Sequence, residues 1–214
     1  RSVHERLTTL VERKAVVLKR DYLTAELLSL WNASGHYADA AAILDTRVFH
    51  PWEGGEGKIT GQYLLNQLHR ALQFIDRGAF KQATDCLKAA LRYPDNLGEG
   101  RLPGQTDNDI WYLLGYCAEQ AGDAQQAAEY YQLARQGGST LDAGRYYNDQ
   151  PADYLFWQGI ALRKSGNPAQ AEQHFRHFID WAAQHRDDVP QVDFFAVSLP
   201  DLVVLDVSAQ QRHQ

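Results

Sequence analysis

The sequence predicts an all-α fold, a right-handed α-solenoid of four helix pairs with long loops between the pairs, and three observations predict it. Gly35, Gly78, Gly122 and Gly166 recur at spacings of 43, 44 and 44 residues. Five residues after each stands an alanine: Ala40, Ala83, Ala127 and Ala171. Four residues further comes a large apolar side chain, Leu44, Leu87, Tyr131 and Phe175. A helical hairpin calls for each of these. The residue past a helix C-terminus often turns left-handed, a conformation that only glycine enters without a Cβ penalty. Alanine early in the second helix lets two backbones approach closely. The large residue one turn later, on the same face, fills the groove between neighbouring helices.

Taken in chain order, residues 3–20 form a leading helix, the second half of an earlier hairpin. The four pairs follow at about 21–33 with 36–48, 62–77 with 80–92, 108–121 with 124–136, and 152–165 with 168–185, each bend falling on one of the four glycines. Asn167-Pro168 reads as an N-cap followed by proline at the first helical position, where its missing N–H is no loss. Residues 189–207 are rich in Val and Phe and read as a cap over the last pair. The expected organisation is one domain: residues 1–20 from a truncated preceding repeat, 21–188 as four repeats, and 189–214 as cap or tail.

The third unit is the clearest, with Trp111-Tyr112-Leu113-Leu114-Gly115 followed by Gly122, Ala127, Tyr131 and Ala134. It resembles the tetratricopeptide repeat, W-x2-L-G-x2-Y followed by A-x3-F and P, with Ala118 where the family has tyrosine. The fourth unit keeps Gly159, Gly166, Ala171 and Phe175 but has Leu155 in place of the tryptophan. The second keeps Gly78, Ala83, Ala90 and Pro94, and the first keeps Gly35, Tyr37, Ala40 and Leu44.

A plain tetratricopeptide repeat is about 34 residues long, so the longer period leaves about ten extra residues per unit. They fall in the connectors 49–61, 94–107 and 137–151, which carry a repeat of their own. Gly55-Glu56-Gly57-Lys58 matches Gly98-Glu99-Gly100-Arg101, and Asp142-Ala143-Gly144-Arg145 follows. Long loops without secondary structure are usually functional or disordered, and recurrence argues against disorder. Equivalent loops of a solenoid emerge on one edge. The candidate binding site is therefore a ridge made by Trp52, Glu53, Glu56, Lys58, Glu99, Arg101, Asp142, Arg145, Tyr146 and Tyr147. A structural reading stands beside it, in which Glu56 pairs with Arg101 and Glu99 with Arg145 to hold successive units in register.

Composition narrows the function. An apolar content of 44% supports a continuous core. The net charge of -6, with Lys and Arg dispersed, excludes the concentrated basic footprint of nucleic-acid binding. The longest apolar-rich stretch, residues 194–207, is broken by Pro200, Asp201 and Asp206 and falls short of a bilayer span. The start lacks the pattern of a secretory signal, and the absence of any Met suggests a piece excised from a longer protein. Cys86 and Cys117 belong to no metal or redox motif and read as buried thiols in a reducing, cytoplasmic setting.

Catalytic and metal signatures fail one by one. In Gly54-Gly55-Glu56-Gly57-Lys58-Ile59-Thr60 the phosphate-loop pattern would need Ser or Thr at 59 and Gly at 52, where Ile and Trp stand. His4-Glu5 is followed by Thr8 rather than a second histidine, and His174 with His177 lacks a third ligand. No Gly-x-Ser-x-Gly elbow occurs. No cofactor, no metal and no catalytic residue are expected.

The segments Pro51 to Lys58, Gly61-Gln62-Tyr63, Asn96 to Gly100, Tyr146 to Pro151 and Phe195 to Asp201 together carry a second resemblance. They resemble the repeat region near the C-terminus of large bacterial proteins whose preceding portion is a carbohydrate-enzyme-like domain of unknown function. The expected function is a non-catalytic scaffold for a protein, a peptide or another domain of the parent chain. The alternative is an ancillary sugar-binding part of a larger carbohydrate-active enzyme. Neither nucleic acid nor membrane is an expected partner.

Overall fold

The computed structural model describes residues 2–102, 104–141 and 150–187, and among them the only regular structure is helical. The helices are α1 Val3–Glu12, α2 Lys14–Val17, α3 Asp21–Ala33, α4 Tyr37–Leu44, α5 Lys58–Asp76, α6 Phe80–Ala90, α7 Asn108–Gln120, α8 Ala124–Ala134, α9 Tyr154–Lys164 and α10 Pro168–His185. The expected cap at 189–214 lies outside the described residues. No described helix is long and apolar enough to cross a membrane.

The four bends are equivalent. Gly35, Gly78, Gly122 and Gly166 have φ of 77°, 69°, 82° and 79°. The residue after each glycine donates its N–H to a carbonyl five residues back: His36 to Trp31, Ala79 to Phe74, Asp123 to Ala118, and Asn167 to Leu162, at 2.8 to 3.0 Å. This is the Schellman ending, which satisfies carbonyls that the helix itself leaves unpaired. The four alanines are 0%, 0%, 4% and 0% exposed, so each crossing is tight.

The glycine of the first helix in the later units is explained by what crosses it. A Cβ at Gly115 would lie 2.6 Å from Tyr131 Cε1, and one at Gly159 would lie 2.4 Å from Phe175 Cε1. The large residue of the second helix therefore rests directly on the first helix's backbone. In the first two units Leu28 and Ala71 occupy the equivalent places, facing the smaller Leu44 and Leu87.

The chain divides into two compact units, residues 1–101 and 102–214. In the first, α1 to α6 enclose a core of Leu27, Leu28, Trp31, Leu44, Phe49, Ile59, Tyr63 and Leu97. In the second, α9 packs against both α7 and α8, and Ile110, Leu114, Leu155 and Leu162 are buried.

Several boundaries differ from expectation, each for a local reason. The leading helix is two pieces, broken at Arg13 (φ -107°, ψ 22°). The second helix of the first pair ends at Leu44 instead of 48, because Asn96 Nδ2 donates to the carbonyls of Leu44 and Arg47, at 2.8 Å each. Likewise α8 ends at Ala134 instead of 136, where Asn108 Nδ2 donates to the carbonyls of Ala134 and Gln136 at 2.6 Å. Helix α5 begins four residues early, at Lys58, so part of the expected loop is its first turn. Asn167 and Pro168 stand where expected, but the Asn167 side chain donates back to the Ser165 carbonyl at 3.1 Å instead of capping α10.

Candidate functional site

The loops at 49–57 and 94–101 both belong to the first unit and are bonded to each other. Phe49 donates its N–H to the Asn96 carbonyl at 2.7 Å. Gly98 sits so close that a Cβ there would lie 2.6 Å from the Phe49 oxygen. Glu99 makes the most informative contact. Its Oε2 accepts from the Gly57 N–H at 3.0 Å and from the Thr60 hydroxyl at 3.3 Å. Gly57 precedes α5 in a left-handed conformation and has no side chain to cap with. The carboxylate of the next loop thus supplies the negative charge and acceptor that a helix N-terminus attracts.

The remaining candidates are placed as follows. Trp52 packs against the core of the first unit, its ring filling the space in which a Gly55 Cβ would lie 2.2 Å away. Glu56 is half-buried, and its Oε1 accepts from the Gly54 N–H at 3.3 Å. Arg101 lies over the Tyr93 ring at 5.4 Å and donates to the Ala90 carbonyl at the end of α6, at 3.5 Å. Lys58 opens α5, and Glu53 is exposed. The structure brings Trp52, Glu56, Lys58, Glu99 and Arg101 into one loop pair. Asp142, Arg145, Tyr146 and Tyr147 lie outside the described residues.

A second surface, which sequence reasoning missed, runs along the first helices of the second unit. Asp109, Tyr112, Tyr116 and Glu119 follow the i, i+3, i+7, i+10 pattern of one face of α7. Asp153, Phe156, Ile160 and Arg163 repeat it 44 residues later, at the start and along the length of α9. The two faces adjoin. The Tyr112 ring lies 5.5 Å from that of Tyr131 and 5.6 Å from that of Trp157, and Tyr112, Ile160, Arg163 and Lys164 line a depression of about 330 Å³. That volume is at the small end of ligand sites.

Charge is unevenly distributed along this surface. Lys164 Nζ donates to both Glu119 oxygens, at 2.7 and 2.9 Å, and Tyr131 donates its hydroxyl to Glu119 Oε2 at 2.6 Å. These hydrogen bonds, that of Lys164 foremost, hold the Glu119 carboxyl below its usual range. Burial, then the Glu119 carboxylate, pushes the Tyr131 phenol up. Arg163 is exposed and forms no ion pair with a described residue. At the other end, burial and then the carboxylates of Asp107 and Asp153 raise Asp109 to about 6. Among the described residues, no cluster of three or more His, Cys, Asp or Glu side chains is placed to hold a metal.

Three solved structures are similar at low identity. BtubC (BKLC) from P. vanneervenii matches at 16% identity and a TM-score of 0.43, covering 97% of this chain and 95% of that one. Two structures of MamA match at 14% identity. One has a TM-score of 0.39 with 87% of this chain and 90% of that chain covered. The other has a TM-score of 0.35 with 89% and 87% covered. The tetratricopeptide repeat family model matches residues 109–134. The family match and the hairpin geometry coincide on α7 and α8, so the chain carries a tetratricopeptide repeat.

Proposed function

We propose that the chain is a non-catalytic scaffold that binds a protein partner, in the form of a peptide segment, along the surface of α7 and α9. The observation that supports this reading is the recurrence of an aromatic side chain, Tyr112 and Phe156, on one face of successive first helices. The hairpin needs Gly115, Gly159, Ala127 and Ala171. Tyr112 packs on Tyr131 and Phe156 on Phe175, yet Tyr112 stays half-exposed and Phe156 exposed, with Arg163 exposed on the same face of α9. Phe156 is 42% exposed. Aromatic side chains and arginine are the residue types enriched at protein interfaces.

The loop pair of the first unit serves a different end in this reading. Trp52 is occupied by the core and Glu99 by the N-terminus of α5, so these loops hold successive repeats in register. The sugar-site alternative gains no support from them.

The test is selection of peptides from a random displayed library on the immobilised chain, followed by affinity measurement by fluorescence anisotropy. Selected peptides are expected to lose at least tenfold in affinity with Tyr112→Ala or Phe156→Ala, while far-UV circular dichroism stays unchanged. Glu56→Gln is expected to leave affinity unaltered. Failure to enrich any peptide over a blank support, or equal binding by the Tyr112 and Phe156 variants, rejects the reading.

A further inference from the structure

Two junctions between successive repeats bury side-chain amides at positions where other repeats carry apolar residues. In the first unit the end of α3 meets the first half of α5 through Asn32 and Asn66, which are 2% and 1% exposed. Asn32 Nδ2 donates to the Gln62 carbonyl at 3.0 Å and to Gln62 Oε1 at 2.9 Å. Asn66 Nδ2 donates to Asn32 Oδ1 and to the Tyr37 carbonyl, at 2.9 Å each. Helices α3, α4 and α5 are thereby tied at one point. In the second unit Gln158 of α9 is 1% exposed and donates from Nε2 to the Gln136 carbonyl, just past the end of α8, at 2.9 Å.

The amides do not recur along the chain. At the repeat spacing, Asn66 of α5 answers to Ile110 in α7 and Tyr154 in α9, and Gln158 of α9 answers to Leu27 in α3 and Leu114 in α7, all four of them buried. Asn32 answers to Ile75 in α5 and Glu119 in α7. Nor do the amides give the most stable junction. Asn66 Oδ1 and Gln158 Oε1 are buried and accept no hydrogen bond from a described residue, a cost that an apolar side chain would not carry. A buried polar pair of this kind earns its place by favouring one pairing over the others. Stacked on α7, the Asn32 amide would face Ile110. Slid one turn along α5, it would no longer meet Asn66.

We infer that these buried amides are recognition elements internal to the chain, which fix the hairpin that stacks on each hairpin and the register in which it does so. The four hairpins share their glycines, alanines and large apolar residues, so those features alone do not tell one hairpin from another. Asn32 with Asn66, and Gln158 with the Gln136 carbonyl, do. Each rejects the non-cognate hairpins as partners, because the wrong pairing leaves a buried amide facing an apolar surface.

The experiment compares the full chain with Asn32→Ile, with Asn66→Ile and with both together, isoleucine being the residue that α5 and α7 carry at those positions. Either single substitution strands the other amide and is expected to lower the folding equilibrium constant in urea about tenfold or more. The double variant is expected to recover that loss and to lose uniqueness, with amide NMR spectra showing more than one resonance for residues of α3 and α5. Gln158→Leu, which installs the residue of α7, is expected to multiply the resonances of α9 without lowering stability. A double variant that stays as unstable as the single ones, or that does not fold, makes the amides ordinary stabilising contacts and overturns the inference. Full stability with a single set of resonances, in the double variant and in Gln158→Leu, overturns it equally.

Discussion

At the scale of single residues, one kind of substitution has opposite effects according to what surrounds it. Gly115→Ala drives a methyl group into the Tyr131 ring, which Glu119 and Trp157's neighbour Tyr112 hold in place. Overpacking of this kind costs about 1–3 kcal/mol, so urea unfolding is expected to show that loss. Gly61→Ala, in the first turns of α5 with nothing within 4 Å, is expected to stabilise by about 0.5–1 kcal/mol. Asp109 gives a pH-dependent counterpart. Its folded pKa of about 6 is above the ordinary 3.8, so its favourable contribution is fully present below about 4 and is lost as pH rises through 6. Asp109→Asn is therefore expected to raise unfolding free energy at pH 7.5 by about 1–2 kcal/mol. The gain disappears at pH 4, a comparison that paired urea titrations at the two pH values make directly.

The bends and crossings were legible in the sequence because they depend on single residue types at fixed offsets. Gly35, Gly78, Gly122 and Gly166 announce their backbone conformation by themselves, and Ala127 announces a tight contact. Glu99 did not announce its partner. Its acceptor role depends on a backbone N–H at Gly57, and backbone groups have no letter in the sequence. Tyr112 and Phe156 were visible as a repeated pair, but their value lies in what the hairpin leaves uncovered. That could be seen only after the buried positions had been assigned.

At the scale of elements, helix ends are set by side chains from other parts of the chain. Periodicity placed α3 and α10 to the residue. It missed the ends of α4 and α8 because Asn96 and Asn108 reach across to stop them. It missed the start of α5 because three glycines at 54, 55 and 57 read as loop. Glu99→Ala removes the acceptor that Gly57 and Thr60 share and is expected to cost about 1–2 kcal/mol, the range for loss of a charged helix cap. Hydrogen exchange at the Gly57 amide, and at the Gly61 amide that closes the first turn on the Gly57 carbonyl, is expected to rise ahead of exchange in the middle of α5. Unchanged exchange there would show that the contact does not set the helix start.

At the scale of the molecule, the two compact units answer to different substitutions. Glu99→Ala is expected to accelerate hydrogen exchange first within residues 1–101, and Gly115→Ala first within residues 102–187. The second unit also combines stability and recognition in one helix pair. Tyr112 packs on the Tyr131 ring, yet it also lines the depression on the surface that we assign to a partner.

The Glu99 contact also bears on the order in which the chain is made. A ribosome completes Gly57 some 42 residues before Glu99. During that interval the opening turn of α5 has no acceptor for its amide, and the end of α4 still lacks the Asn96 amide that stops it. The end of α4 and the opening turn of α5 are finished only by the loop that follows α6, so a fragment able to hold these native helix ends must run through that loop. A chain ending at Ala90, the last residue of α6, would leave both of these helix ends without their partners.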